Sequence, residues 1–169
     1  MITAMAQEQC GTPVVKIGLK HVELRDFVLQ DELLFKSDLF RMLTQGEIGR
    51  LLCQGQVRSV RVGQRLLSDG KRSKGLLFIL KGSVQLWTGD GQVSLQLLGK
   101  GDFFGTAAVV ETDLRPGATA AEDTQLALLP SPGLRALMAA HPDLEKLIRQ
   151  KTRERERRAE ELAGFLNRW

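Results

Sequence analysis

The stretch that most limits what this chain can become is GLLFILKGSVQLWTGDGQVSLQLLGKGDFFG, residues 75–105. Segments of five to seven residues are cut by Lys81-Gly82, by Gly89-Asp90-Gly91 and by Gly99-Lys100-Gly101. Each run is too short for a stable helix, and each break offers a glycine for a tight turn. Short strands at close, regular spacing predict an antiparallel barrel or sandwich. Upstream, QVRSVRVGQRLLSDG alternates polar and apolar residues and ends in Asp69-Gly70, a turn pair; downstream, ATAAEDTQLALLP supplies the closing strands.

Helices flank this β region. DELLFKSDLFRMLTQGEIGRLLCQG has helical periodicity, with Ser37 placed to cap one turn. Thr44-Gln45-Gly46-Glu47 has the spacing of a capping box ahead of Ile48, Leu51 and Leu52. From Ser131 the chain reads as helix to its end, with Pro142 at a helix start. Between Pro13 and Leu29, Val15, Ile17 and Leu19, then Val22 and Leu24, fall at strand period, as a strand pair or one long strand.

At 169 residues the chain is long enough for one domain with additional helix. Hydrophobic residues make up 43% and charged residues 26%, the proportions of a globular protein. The net charge of +4 permits an acidic partner, but the basic residues are interleaved with acids, so direct DNA binding is not expected. Two cysteines, Cys10 and Cys53, imply no disulfide framework. The N-terminus lacks the pattern of a secretion signal, and no apolar run spans a bilayer. A cytoplasmic protein without a membrane segment is expected.

The stretch GDFFGTAAVVETDLRPGATA, residues 101–120, has the composition of an anion site. Gly101 and Gly105 let backbone amides turn inward, small residues open a short helix, and Arg115 follows. Three segments together resemble the cyclic nucleotide-binding domain, over roughly residues 33–150. LLFKSDLFRMLTQGEIGRLLCQG is similar to its leading helices, FILKGSVQLW to its strand pair, and LGKGDFFGTAAVV to its phosphate-binding cassette. The fold implied is mainly β with flanking helices, an antiparallel β-roll or jelly roll of that type carrying a long C-terminal helix. Its parts would be an N-terminal extension over 1–32, the domain over 33–141 and the C-terminal helix over 142–169.

The resemblance also implies a site, comprising Gly101, Phe104, Gly105, Thr106, Ala107, Arg115, Ala118 and Thr119. In the family an arginine pairs with the cyclic phosphate, and a glutamate directly after the "FG" accepts the ribose hydroxyl. Here that position holds Thr106, with no other acid beside it. Aligning Ala118-Thr119 with the family's small-small-threonine run puts Pro116 where the arginine belongs. Arg115 is therefore equally a ligand group or solvated surface, and Thr106 reads better as a helix cap than as a ligand contact. A cyclic nucleotide is the candidate cofactor, with cyclic AMP expected to bind weakly or not at all.

Enzyme chemistry is not expected. No histidine falls between Gln56 and Pro130, so a barrel oxygenase lacks ligands, and neither Cys53 nor any serine has a base in a recognisable motif. His21 and His141 have no metal-ligand spacing, and His141 reads as a helix-end residue. The run RQKTRERERRAEE reads as a solvated helix face with Glu154–Arg158 and Arg157–Glu161 pairs. A dimer seam along the last helix would pass through Leu144, Ile148, Lys151, Arg155, Arg158, Leu162, Phe165 and Trp169, with three basic residues in its middle. Leu162, Phe165, Leu166 and Trp169 would otherwise form an exposed apolar tip.

The function expected is a regulatory or adaptor protein without catalytic activity, its cassette degenerate for cyclic AMP. It would act through a protein partner, with homodimerisation through the C-terminal helix. The alternatives are a true sensor of a cyclic mononucleotide or dinucleotide, and the sensor half of a transcription regulator without its DNA-binding part.

Overall fold

The computed structural model describes residues 14–17, 20–23, 31–89 and 93–168. Strands β1 (Val14–Ile17) and β2 (Lys20–Glu23) form an antiparallel pair with Val15 opposite Val22. Leu19, Leu24 and Trp169 lie outside the described residues. Helix α1 (Glu32–Phe35) starts at Asp31, whose carboxylate accepts from the Leu33 and Leu34 amides at 3.1 and 3.3 Å. Ser37 is not a cap: its hydroxyl is buried without a partner among the described residues. The short 3₁₀ turn Phe40–Met42 that follows begins at Leu39, which has no side-chain oxygen to offer.

Helix α2 (Gln45–Gln54) opens with the expected capping box. The Glu47 amide donates to Thr44 Oγ1 at 3.2 Å, and the Thr44 amide donates to the Glu47 carboxylate at 3.0 Å. The other Glu47 oxygen lies 2.5 Å from His141 Nε2, which ties this helix start to the junction of the last two helices. The Thr44 amide, then His141, hold the Glu47 carboxyl down at about 2.

Among the described residues, eight strands follow in two antiparallel sheets. They are β3 (Gln56–Val60), β4 (Arg65–Leu67), β5 (Gly75–Lys81), β6 (Val84–Thr88), β7 (Val93–Leu98), β8 (Phe103–Phe104), β9 (Gly117–Ala120) and β10 (Thr124–Pro130). One sheet has the order β3-β10-β5-β8 and the other β4-β9-β6-β7. Helix α3 (Ser131–Ala140) turns at His141 into α4 (Pro142–Leu166). This is the mainly β, antiparallel roll with a long C-terminal helix that the resemblance implies.

Strand β5 explains how the layers join. Leu76, Phe78 and Leu80 point into a core shared with the helices, where Phe78 meets Phe40 at a centroid distance of 4.6 Å. Leu77 and Ile79 point into the second core, between the sheets. Burial on both faces is why this strand is apolar without alternation.

The long helix α4 corrects two expectations. Its buried face runs through Leu144, Ile148, Thr152 and Arg155, and Ala159 and Leu162 extend it against the inter-sheet core. The face drawn as a dimer seam is therefore packed largely on the chain's own roll at Leu144, Ile148, Arg155 and Leu162. The charged run is not wholly solvated either, because Arg155 is only 7% exposed and Thr152 only 5%. Arg157 does pair with Glu161, at 3.9 Å, whereas Glu154 accepts from Gln150 at 3.1 Å. No helix among the described residues is long and apolar enough to cross a membrane.

Candidate functional site

The turn after β8 is built around Gly105, whose φ of +78° lies in the left-handed region. A methyl group there would lie 2.7 Å from Ser73 Oγ and 3.2 Å from the Gly75 carbonyl oxygen. Glycine thus does two jobs: it adopts the angle, and it lets the chain pass against residues 73–75. Thr106–Ala108 then form a single 3₁₀ turn. A turn of three residues carries no appreciable macrodipole, so what it offers a ligand is the direction of individual amides.

Beside this turn is a narrow cavity of about 20 Å³, room for little more than a water molecule. Phe104, Gly105, Thr106 and Ala107 form one wall, with Leu114, Arg115 and Pro116 from the following loop. Leu67, Lys71 and Ser73 approach from the β4–β5 connection, and Leu86 from β6. Thr152 and Arg155 of α4 close the remaining side.

Arg115 and Pro116 thus both face the cavity, and the guanidinium belongs to Arg115. Its Nε is buried and has no hydrogen-bond partner among the described residues. The Arg115 carbonyl accepts from the Gly70 amide at 2.8 Å, which anchors the loop backbone. Further along, Thr112 Oγ1 donates to Glu156 at 2.5 Å and accepts from the Leu114 amide at 3.1 Å, pinning this loop to α4.

Thr106 does not cap the turn: Gly105 is the capping residue, and no side-chain cap bond forms. Instead Thr106 Oγ1 is hydrogen-bonded to Thr152 Oγ1 at 2.9 Å, and Thr152 is also 2.8 Å from the Ile148 carbonyl oxygen. Thr106 is thereby joined to the C-terminal helix. One turn later, Arg155 donates to the Phe103 carbonyl oxygen at 2.6 Å and to Gln96 Oε1 at 3.2 Å. Burial pulls its pKa down to about 10, and Asp102 and Glu154 nearby oppose that shift.

Three residues of the expected set lie elsewhere. Gly101 sits in the turn between β7 and β8, its amide donating to the Ile79 carbonyl oxygen at 2.9 Å. Ala118 is buried between the sheets opposite Leu86, and Thr119 Oγ1 accepts from Trp87 Nε1 at 2.9 Å. Of the apolar tip, Leu162 packs on the inter-sheet core, while Phe165 and Leu166 are 60% and 53% exposed.

Lys71, Ser73, Thr152 and Arg155 are the polar cavity residues absent from the expected set. Thr152 and Arg155 continue the face set by Leu144 and Ile148 at intervals of four and three residues. That spacing could have found them, had a polar residue on a helix face not been taken as solvent-facing.

Three comparisons bear on identity. The model of the cyclic nucleotide-binding domain family matches residues 57–141, half of the chain. A Rhodopseudomonas palustris protein named for a potassium channel is 30% identical over 131 residues, which cover 76% of this chain and 32% of that protein. The chain thus spans about a third of the length of this curated relative. Among solved structures, cAMP-bound PfPKA-R superposes with a TM-score of 0.70 at 14% identity, over 82% of this chain and 47% of that one. The regulatory subunit of a cAMP-independent protein kinase A from Trypanosoma brucei superposes at 0.63 with 21% identity, over 75% and 47%. The same roll therefore occurs in a chain that holds cyclic AMP and in a kinase subunit described as independent of it, so fold alone does not decide the ligand. With the cassette, the two-sheet roll and the matching family region in agreement, the chain belongs to the cyclic nucleotide-binding domain family.

Proposed function

We propose that this chain is a regulatory module without catalytic activity, whose cassette cavity is poorly suited to cyclic AMP. The observation that carries this is Thr106, which stands in the carboxylate's place and is hydrogen-bonded to Thr152 of α4. A neutral hydroxyl already engaged by the helix is a weak substitute for an ionised acceptor. Losing a hydrogen bond to a charged group costs about 1.5–3 kcal/mol, or roughly ten- to a hundredfold in affinity. Calorimetry of the chain with cyclic AMP is expected to show weak binding or none. A low-micromolar or tighter dissociation constant would overturn the reading. Thr106→Glu should raise cyclic AMP affinity by about tenfold or more, since it restores a charged acceptor beside Gly105.

The working parts of this reading are the domain over 33–141, the helix over 142–169 as its output and an extension over 1–32. Because α4 both walls the cavity and ends in the exposed Phe165 and Leu166, a change in the cavity has a direct route to a protein contact. We take a second copy of the chain as the first candidate for that contact. Truncation after Glu161 should then convert a dimer into a monomer in light scattering. A full-length chain that is monomeric at about tens of micromolar would rule out the second copy.

A further inference from the structure

The cavity holds an imbalance of charge that a cyclic mononucleotide does not resolve. Lys71, Arg115 and Arg155 line it, and no aspartate or glutamate does. Arg115 is partly buried, with its Nε enclosed and without a partner among the described residues, and no carboxylate among those residues lies within ion-pair distance of either guanidinium. Arg155, only 7% exposed, donates to a backbone carbonyl and to an amide oxygen, both neutral. Asp102 and Glu154 act on it from farther away. Asp102 already accepts from the Gly99 amide at 2.9 Å, and Glu154 accepts from Gln150.

A buried guanidinium without a counter-ion is costly and persists where something else supplies the negative charge. A cyclic phosphodiester brings one charge, which one arginine neutralises. A second arginine, from a different element, is left over. The wall has also changed character where the ribose would sit. Thr106 is bonded to α4, and one turn beyond Thr152 the helix presents Arg155, a donor that cannot accept. That region suits an anion better than a neutral hydroxyl group.

We propose that the cavity, opened by exchange of the Thr106–Thr152 contact that closes it, takes a small molecule carrying two or more negative charges on phosphoryl groups, with Arg115 and Arg155 as its two counter-charges. The proposal rests on the reading of the cavity as a ligand site and names the ligand's charge class. Arginine's planar fork suits phosphoryl oxygens, and Lys71 adds a third, more flexible cation at the rim.

The full chain is titrated by calorimetry with inorganic pyrophosphate, adenosine 5′-monophosphate, cyclic di-AMP and cyclic AMP, the first three separating a free inorganic anion, a terminal phosphate and a pair of phosphodiesters. At least one of those three should bind about tenfold tighter than cyclic AMP. Arg155→Gln should reduce that tighter binding about tenfold or more while moving cyclic AMP by less than about twofold. Arg155→Lys should recover only part of it, because an ammonium keeps the charge but not the fork, and Arg115→Gln should weaken every ligand. A second measurement needs no variant: in ¹⁵N spectra of the native chain the tighter ligand should shift two arginine Nε–H signals. No advantage for any of the three, unchanged binding in Arg155→Gln, or a single shifted arginine overturns the proposal. Weak cyclic AMP binding alongside such a failure would leave the regulatory reading intact. Tight cyclic AMP binding would overturn that reading, whatever the ranking of the other ligands.

Discussion

Gly105→Ala is expected to lower the thermal midpoint by roughly 5–15 °C, through two separable effects. A left-handed backbone costs a non-glycine residue about 1–2 kcal/mol. The added methyl would lie 2.7 Å from Ser73 Oγ and 3.2 Å from the Gly75 carbonyl oxygen, the second of which belongs to β5 and cannot swing aside. Forcing an extra carbon into packed surroundings adds about 1–3 kcal/mol. Gly63 separates the two terms. Its φ is +83°, but a methyl there would meet nothing within 4 Å. Gly63→Ala should therefore show the backbone cost alone, about 1–2 kcal/mol. Melting curves of the two variants read the difference, and equal losses would mean that Gly105 is not pressed against residues 73–75. Because Gly105 and Ser73 both line the cavity, the larger loss should be accompanied by weaker binding of any ligand the cavity takes.

Much of this architecture is legible in the residues because local chemistry and tertiary role agree there. The glycine-divided runs become β5, β6 and β7, and Thr44 with Glu47 forms its box, because each device satisfies backbone groups within a few residues of itself. Ser37 shows the limit of such reasoning. It has a capping residue's chemistry, but Asp31 starts the helix and Ser37 is carried into a buried bend. The cassette is legible as a segment but not as a site. Gly101, Ala118 and Thr119 belong to the turn and strand that support it, whereas Lys71, Ser73, Thr152 and Arg155 reach the cavity from distant positions in the chain. The C-terminal helix misleads for a related reason. Its buried face includes a threonine and an arginine, so an apolar stripe fades where the helix crosses the cavity. A seam drawn through similar positions then looks like an interface with another molecule. Trp87 is buried, donates to Thr119 and lies under the Arg65 guanidinium at 5.1 Å.

The uneven attachment of that helix leads to the other large effect. Ile148→Ala should cost about 2–5 kcal/mol, because Ile148 is fully buried in the core shared by β5 and the helices, and truncation leaves a cavity there. Leu162→Ala should cost about 1 kcal/mol or less, since Leu162 only rests partly buried on the inter-sheet core. Between these points the helix is held by polar contacts, with Thr152 bonded to Thr106 and Arg155 to Phe103 and Gln96. Such bonds contribute about 0.5–1.5 kcal/mol each and can exchange with water or with a ligand, whereas the Ile148 contacts cannot. The helix is thus anchored at its start and more weakly held over the cavity and beyond. Amide exchange should rise along α4 from Ile148 to Leu162, and Thr152→Val should steepen that gradient by removing the bond to Thr106 without shortening the side chain. Ile148→Ala should instead raise exchange along the whole helix, because it weakens the anchor itself. Uniform exchange from Leu144 to Leu162 in the native chain would mean that α4 opens only as one body, and the cavity could then influence the helix end only by releasing all of it.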